Sequence, residues 1–202
     1  MPRRPRKKPD DRYHHGDLRA ALLEAAVEVL RERGVQGASL RECARRAGVS
    51  HAAPYRHFES KDALLTAVAG QGFAWLHAAG AAAMEGVSDP RDRLDAYGVA
   101  YVRFAMEHPE HFRVMFTSEL PEGMTDATDQ AAADAAFELL RAQAAAVVGP
   151  GEDDEVAALA FWSLVHGLSL LILDGRVPAE RVRTSAQVEA LTRATFAHWR
   201  AD

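Results

Sequence analysis

Between residues 39 and 61 the chain sets hydroxyls, imidazoles and cations at intervals that suit contact with a polyanion. Ser39-Leu-Arg-Glu42 has the S-x-x-E form of a helix start. The serine would accept from the N–H three residues on while the glutamate reaches back. Ala47-Gly48-Val49-Ser50 follows, where glycine permits a turn through positive φ and Val49 supplies the apolar contact between two short helices. Ser50 would cap the second helix, expected over residues 51–58, with Leu40, Ala44, Tyr55 and Phe58 as the small core beneath. Two helices joined this way form a helix-turn-helix that pushes the first turn of the second helix toward a major groove. His51, Ala52 and Ala53 then stand where base edges lie, the alanine methyls suited to thymine, and Arg56 reaches guanine or phosphate. Tyr55, His57 and the Ser39 hydroxyl suit phosphate, as does Lys61, an ammonium beside the free N–H groups opening the next helix. The plainer alternative is a pair of capped helices that touches no nucleic acid.

Enzymatic chemistry finds less support. Nine histidines are present, and His108-Pro-Glu-His111 is the tightest cluster away from the N-terminus. Its spacing straddles a proline break with no third ligand in sequence reach, so capping or core roles fit better than zinc. His14-His15 reads as the entry to the first helix, and His166 as an interface residue. No G-x-S-x-G, P-loop or dinucleotide fingerprint occurs. The expectation is a protein that is no enzyme and needs no cofactor or metal. A pure ligand carrier, or a head that engages protein instead of DNA, stays open, and salt dependence separates these readings.

A third set of residues suits a ligand. Tyr97, Tyr101, Phe104, Met106, Phe112, Met115, Phe116, Met124, Phe137 and Trp162 fall on the middle helices. Most suit an ordinary core. A hollow among them would take a small, mainly apolar molecule, with Tyr97, Tyr101 or His166 orienting its polar end. The set contains no buried acid or base that would call for a strongly charged ligand.

These residues need elements to hold them, and the 202-residue sequence reads as helix almost throughout. Alanine is abundant, Val and Ile are sparse, and nothing alternates with period two. Nine helices are expected, three in a head and six in a body: residues 17–33 with Gly34 as stop, 39–47, 51–58, 61–83, 90–107, 110–116, 125–148, 152–173 and 185–200. Ser60 would cap the fourth, and Pro121-Glu-Gly123 marks a loop. The fold class is all-α: a three-helix head at residues 13–60 and a six-helix ligand-binding and dimerisation body at 61–202. A flexible basic tail, residues 1–12, precedes them and could enter a minor groove.

Charge divides along the same line. Residues 1–61 hold 14 Lys and Arg against 8 Asp and Glu, and the rest hold 10 against 21, so the overall −5 conceals a basic head on an acidic body. That asymmetry implies a polyanion partner at one end only. The single cysteine, Cys43, excludes an internal disulfide framework and fits a reducing cytoplasm, and no apolar run follows the basic N-terminus as a secretory signal requires. The longest apolar stretch, residues 156–173, carries Ser163, His166, Gly167 and Ser169 behind an acidic start, which suits a helix buried in protein better than a membrane span.

From Tyr13 to Trp75 the sequence resembles the DNA-binding head of the tetracycline-repressor (TetR) family. The likeness rests on residues 39–50, then Pro54-Tyr-Arg-His-Phe58 and Ser60-Lys-Asp-Ala-Leu64; Pro54 departs from it, since leucine is usual there. Trp162-Ser-Leu-Val-His166-Gly167 resembles the W-x-x-x-H-G body found in part of that family. The resemblance implies a homodimeric, ligand-responsive regulator, a repressor by default, whose two heads bind a near-palindromic operator on double-stranded DNA until an effector changes their separation. It assigns DNA contacts to Ser50, His51, Ala52, Ala53, Tyr55, Arg56, His57 and Lys61, with Ser39 and Arg41 as flanking contacts. The seam would use the small residues Ala157, Ala160, Ser163 and Gly167, three or four apart, beside Leu164, Leu168 and Leu171; the same face could instead be core.

Overall fold

Glycine, proline and acidic caps cut the alanine-rich chain into helices. The computed structural model describes residues 18–117 and 126–199, and among these no strand occurs. The fold is all-α. Its helices are α1 (Leu18–Gly37), α2 (Leu40–Arg46), α3 (Lys61–Ala83), α4 (Pro90–Glu107), α5 (Pro109–Met115), α6 (Ala127–Val148), α7 (Asp154–Leu173) and α8 (Ser185–Trp199), with 3₁₀ turns at Pro54–Arg56 and Ala179–Arg181. The predicted basic tail, His14-His15, Asp17, the loop at Pro121–Gly123, Met124, Thr125 and Arg200 lie outside the described residues.

Two compact units divide after Lys61. In the N-terminal unit α1 packs on α2, burying Leu22, Leu23, Ala26, Val29 and Leu30 with Leu40, Cys43, Ala44 and Phe58. Each such large side chain contributes roughly 1.5–3 kcal/mol when removed from water. Helix α1 breaks at Gly34, whose φ of 65° and ψ of −173° lie where other residues are strained, and one further turn carries it to Gly37.

The predicted α-helix over residues 51–58 is not present; turns and a single 3₁₀ turn take its place. Pro54 has no N–H to donate to the Ser50 carbonyl, which instead accepts from the Ala53 N–H at 2.9 Å. Around Pro54 the tighter pattern continues, the Arg56 N–H reaching Ala53 O at 3.2 Å and the His57 N–H reaching Pro54 O at 2.9 Å. Ser50 therefore contributes its carbonyl, not a side-chain cap.

In the C-terminal unit α4 is the central post, packed by α5, α6, α7 and α8. Its start is fixed by Asp89, which accepts from the Arg91 and Asp92 N–H groups at 2.9 and 3.0 Å. Helix α3 approaches closely because Gly80 lacks a side chain: a Cβ there would lie 2.7 Å from the Tyr97 ring. The six predicted body helices are all formed, α3 to α8. By length and composition α7 could cross a membrane. It is only partly buried within the chain: Val156, Leu159, Leu170 and Leu171 face outward, where the sequence reading expects a covered helix.

Candidate nucleic-acid interface and ligand cavity

The Ser39 side chain accepts from the Glu42 N–H at 3.2 Å, so the predicted start of α2 is formed. Glu42 does not reach back. Its carboxylate takes Arg45 at 2.9 and 2.7 Å and Arg46 at 3.2 Å, and those hydrogen bonds, Arg45's first, hold its pKa down at about 2. Arg46 spans both helices, pairing also with Glu32 on α1. Beyond α2, Gly48 turns at φ 68° and the Val49 N–H closes on Ala44 O at 3.0 Å.

The segment that follows is pinned from below and displayed above. Pro54 and Phe58 are buried, whereas Ser50, His51, Ala52, Tyr55, Arg56 and His57 are exposed and Ala53 is half-buried. Tyr55, expected both in the small core and on DNA, is 54% exposed and belongs to the outer face. Ser39 and Arg41 are also exposed, and Lys61 is half-buried at the start of α3.

In the C-terminal unit a cavity of about 490 Å³ opens among α3, α4, α5, α6 and α7. Six of the residues expected there line it: Tyr97, Tyr101, Met115, Phe116, Phe137 and Trp162. Phe112 and His166 stand behind that wall, their rings stacked at 5.2 Å, with His166 4.7 Å from the Phe116 ring. Phe104 is directed to a different groove, beside Trp75 and His108. The cavity's polar support is a short chain. Trp162 Nε1 donates to the Tyr101 oxygen at 2.9 Å, and that oxygen lies 2.9 Å from His166 Nδ1. Burial lowers the His166 pKa and raises that of Tyr101, so we assign a neutral imidazole that accepts the phenol proton's hydrogen bond.

His108 and His111 are packing residues. The Trp75 ring lies 5.0 and 4.7 Å from theirs, and His111 Nε2 sits 3.1 Å from Gln71 Oε1. No group of three or more potential metal ligands forms among the described residues.

On α7, Ala160, Ser163 and Leu171 are exposed, Leu164 and Gly167 are half-buried, and Leu168 is packed inside its own unit. A Cβ on Gly167 would meet nothing within 4 Å. The outward residues Val156, Leu159, Ala160 and Ser163 fall three or four apart, and Leu170 and Leu171 continue that face two turns on, past the half-buried Gly167.

Two family models match, one described as bacterial regulatory proteins of the tetR family over residues 22–68 and one as tetracyclin repressor-like, C-terminal domain over residues 94–195. The chain belongs to the TetR family. The transcriptional activator FasR of Mycolicibacterium smegmatis is 32% identical over 135 residues, 64% of this chain. This chain thus spans 62% of FasR, less than two thirds of that relative's length. A solved structure of a Rhodococcus sp. RHA1 protein with unknown function aligns with TM-score 0.74 and 35% identity over 94% of this chain and 98% of that one. The TetR family regulator PfmR from Thermus thermophilus aligns at 0.66 and 26% identity, covering 86% of this chain and 96% of that one.

Several wall residues of this TetR body were missed in the sequence: Phe73 and Leu76 on α3, and Ala133, Asp134, Ala136, Glu138 and Leu140 on α6. The signal was available on α6, where Ala133, Ala136, Phe137 and Leu140 fall three, four and seven apart. Trp75, next to these on α3, lines the groove shared with Phe104 instead.

Proposed function

We propose that this TetR-family regulator is a cytoplasmic homodimer that represses transcription by binding a palindromic operator, and that a small, mainly apolar effector releases it. On this reading residues 13–60 are the reading head and 61–202 the ligand-binding and dimerisation body, with no catalytic step. The supporting observation is the segment after Gly48. Pro54 and Phe58 anchor it while His51, Ala52, Tyr55, Arg56 and His57 stand exposed together. A segment built to be stiff and to show its polar side chains suits phosphate and base-edge contact. Ser39, Arg41, Ser50, Ala53 and Lys61 complete the contact set.

One such segment reads few base pairs, so specificity needs two heads at a fixed stride, roughly 34 Å for one helical turn or somewhat more. The outward stripe of α7 is the favoured seam, since an exposed apolar helix face is costly to leave in water. Leu168, buried in its own unit, supports that helix from within. The effector occupies the cavity, where Phe73 and Leu76 belong to the same helix that starts at Lys61. An effector that prefers the wrongly spaced arrangement weakens operator affinity by its differential binding.

Selection from random DNA with the full chain tests this. It should return an inverted repeat whose binding weakens steeply with salt and is impaired by Tyr55→Ala and Lys61→Ala. A monomer at all concentrations with no preference for symmetric sites would overturn it.

A further inference from the structure

The cavity wall is unequal in its hydrogen bonding. Its indole donor, Trp162 Nε1–H, is used on Tyr101, and the Tyr101 hydroxyl is used on His166. Tyr97 is 2% exposed and lines the cavity, yet its hydroxyl has no hydrogen-bond partner among the described residues. The wall's other polar groups are two carboxylates on successive turns of α6, Asp134 and Glu138, both exposed and therefore at the rim. Glu138 is neutralised by Arg141, which holds it at 2.7 Å and also bonds Asp154 at 2.9 Å. Asp134 accepts only the Gln130 amide, at 2.8 Å, and no cation pairs with it among the described residues. Among the described residues no lysine, arginine or histidine lines the cavity.

Phe73, Tyr97, Tyr101, Phe116, Phe137 and Trp162 present ring faces or edges to the same space. Ring faces attract cations, and an unpaired carboxylate at the rim adds to that attraction while repelling anions. Among the described wall residues a carboxylate ligand would meet Asp134 with no countercharge, and its oxygens would find only the Tyr97 hydroxyl as a free donor.

We infer that the effector of the proposed regulator is a lipophilic organic cation bearing an N–H, a protonated amine with an aromatic or bulky apolar body, whose charge is balanced by Asp134. This rests on the reading of the cavity as the effector site. It also amends the sequence expectation of a ligand without strong charge, because that expectation placed Phe137 of α6 at the cavity but not Asp134.

Calorimetric titration of the full chain with a matched set of biphenyl compounds tests it: 4-phenylbenzylamine, 4-phenylbenzyl alcohol and 4-phenylbenzoate. The amine should bind about tenfold tighter than the alcohol, and the benzoate more weakly than either. Asp134→Asn should abolish the preference for the amine over the alcohol, while Glu138→Gln, whose carboxylate is already held by Arg141, should keep that preference. Asp134 is exposed, so this variant should melt with the wild type, and a melting curve checks that. Benzoate binding equal to or tighter than the amine, or an amine preference that survives Asp134→Asn, overturns the charge assignment alone. If none of the three binds, the cavity is not a ligand site and the reading beneath falls with it.

Discussion

The Tyr101 hydroxyl stands 2.9 Å from His166 Nδ1, joining α4 to the W-x-x-x-H-G segment of α7 behind the cavity wall. Because the same oxygen accepts from Trp162 Nε1, one phenol satisfies both the indole and the imidazole of that segment. Tyr101→Phe leaves an indole N–H and an imidazole nitrogen unpaired in a half-buried site. The expected loss is about 1–3 kcal/mol of stability, read from urea unfolding of the full chain. A variant as stable as the wild type would show that the chain of bonds is not structural.

Pro54 decides the form of the recognition segment. Pro54→Leu restores an N–H one helical turn from the Ser50 carbonyl, and the 3₁₀ turn should lengthen into α-helix. Backbone chemical shifts over residues 51–58 report this directly. Unchanged shifts would mean that the surrounding packing, not the missing donor, shapes the segment.

Two glycines separate internal packing from the proposed seam. A Cβ on Gly98 would sit 2.5 Å from Phe196 Cζ and 2.7 Å from Phe161 Cζ, so Gly98→Ala must displace rings on α8 and α7. A cost of about 1–3 kcal/mol is expected in unfolding. Gly167 has open space around it, so Gly167→Leu should leave the fold intact but weaken self-association by about tenfold or more in sedimentation experiments. Unaltered association would place the seam elsewhere.

Acid should loosen the body before the head. His111 is 4% exposed, and burial, with a smaller contribution from His108, pushes its pKa down to about 4, against an opposing contribution from Glu110. The unfolded chain binds this proton near pH 6.5 and the folded chain only near 4. Between those values the unfolded state holds more protons, so stability falls as pH drops through the window. His111→Gln should flatten the dependence of the urea midpoint on pH there. Glu42 acts lower: its depressed pKa keeps its contribution present above about 4.5 and loses it toward about 2.

Most of the helices, the caps at Ser39 and Asp89 and the division of charge were legible in the chain because they depend on local chemistry; the helix expected over residues 51–58 and its Ser50 cap did not form, since Pro54 lacks the N–H they needed. Ser39 accepts from the backbone three residues on, Asp89 stands before Pro90, and Gly34 and Gly48 sit where φ turns positive. These need no distant partner. The aromatic cavity set was partly legible too, since Tyr97, Tyr101 and Trp162 fall on faces whose period points inward. What depended on partners far along the chain was not. Glu42 abandons the serine backbone for Arg45 and Arg46, which compete better for a carboxylate than a neutral N–H does. Phe104, although spaced like its neighbours, is turned to another groove. Asp134 has no role in the sequence reading, where it is one of the acidic residues of the helix expected over 125–148. Only the packing of α6 against α4 and α7 brings it to the rim of an aromatic cavity, where distance and the lack of a countercharge give it a role.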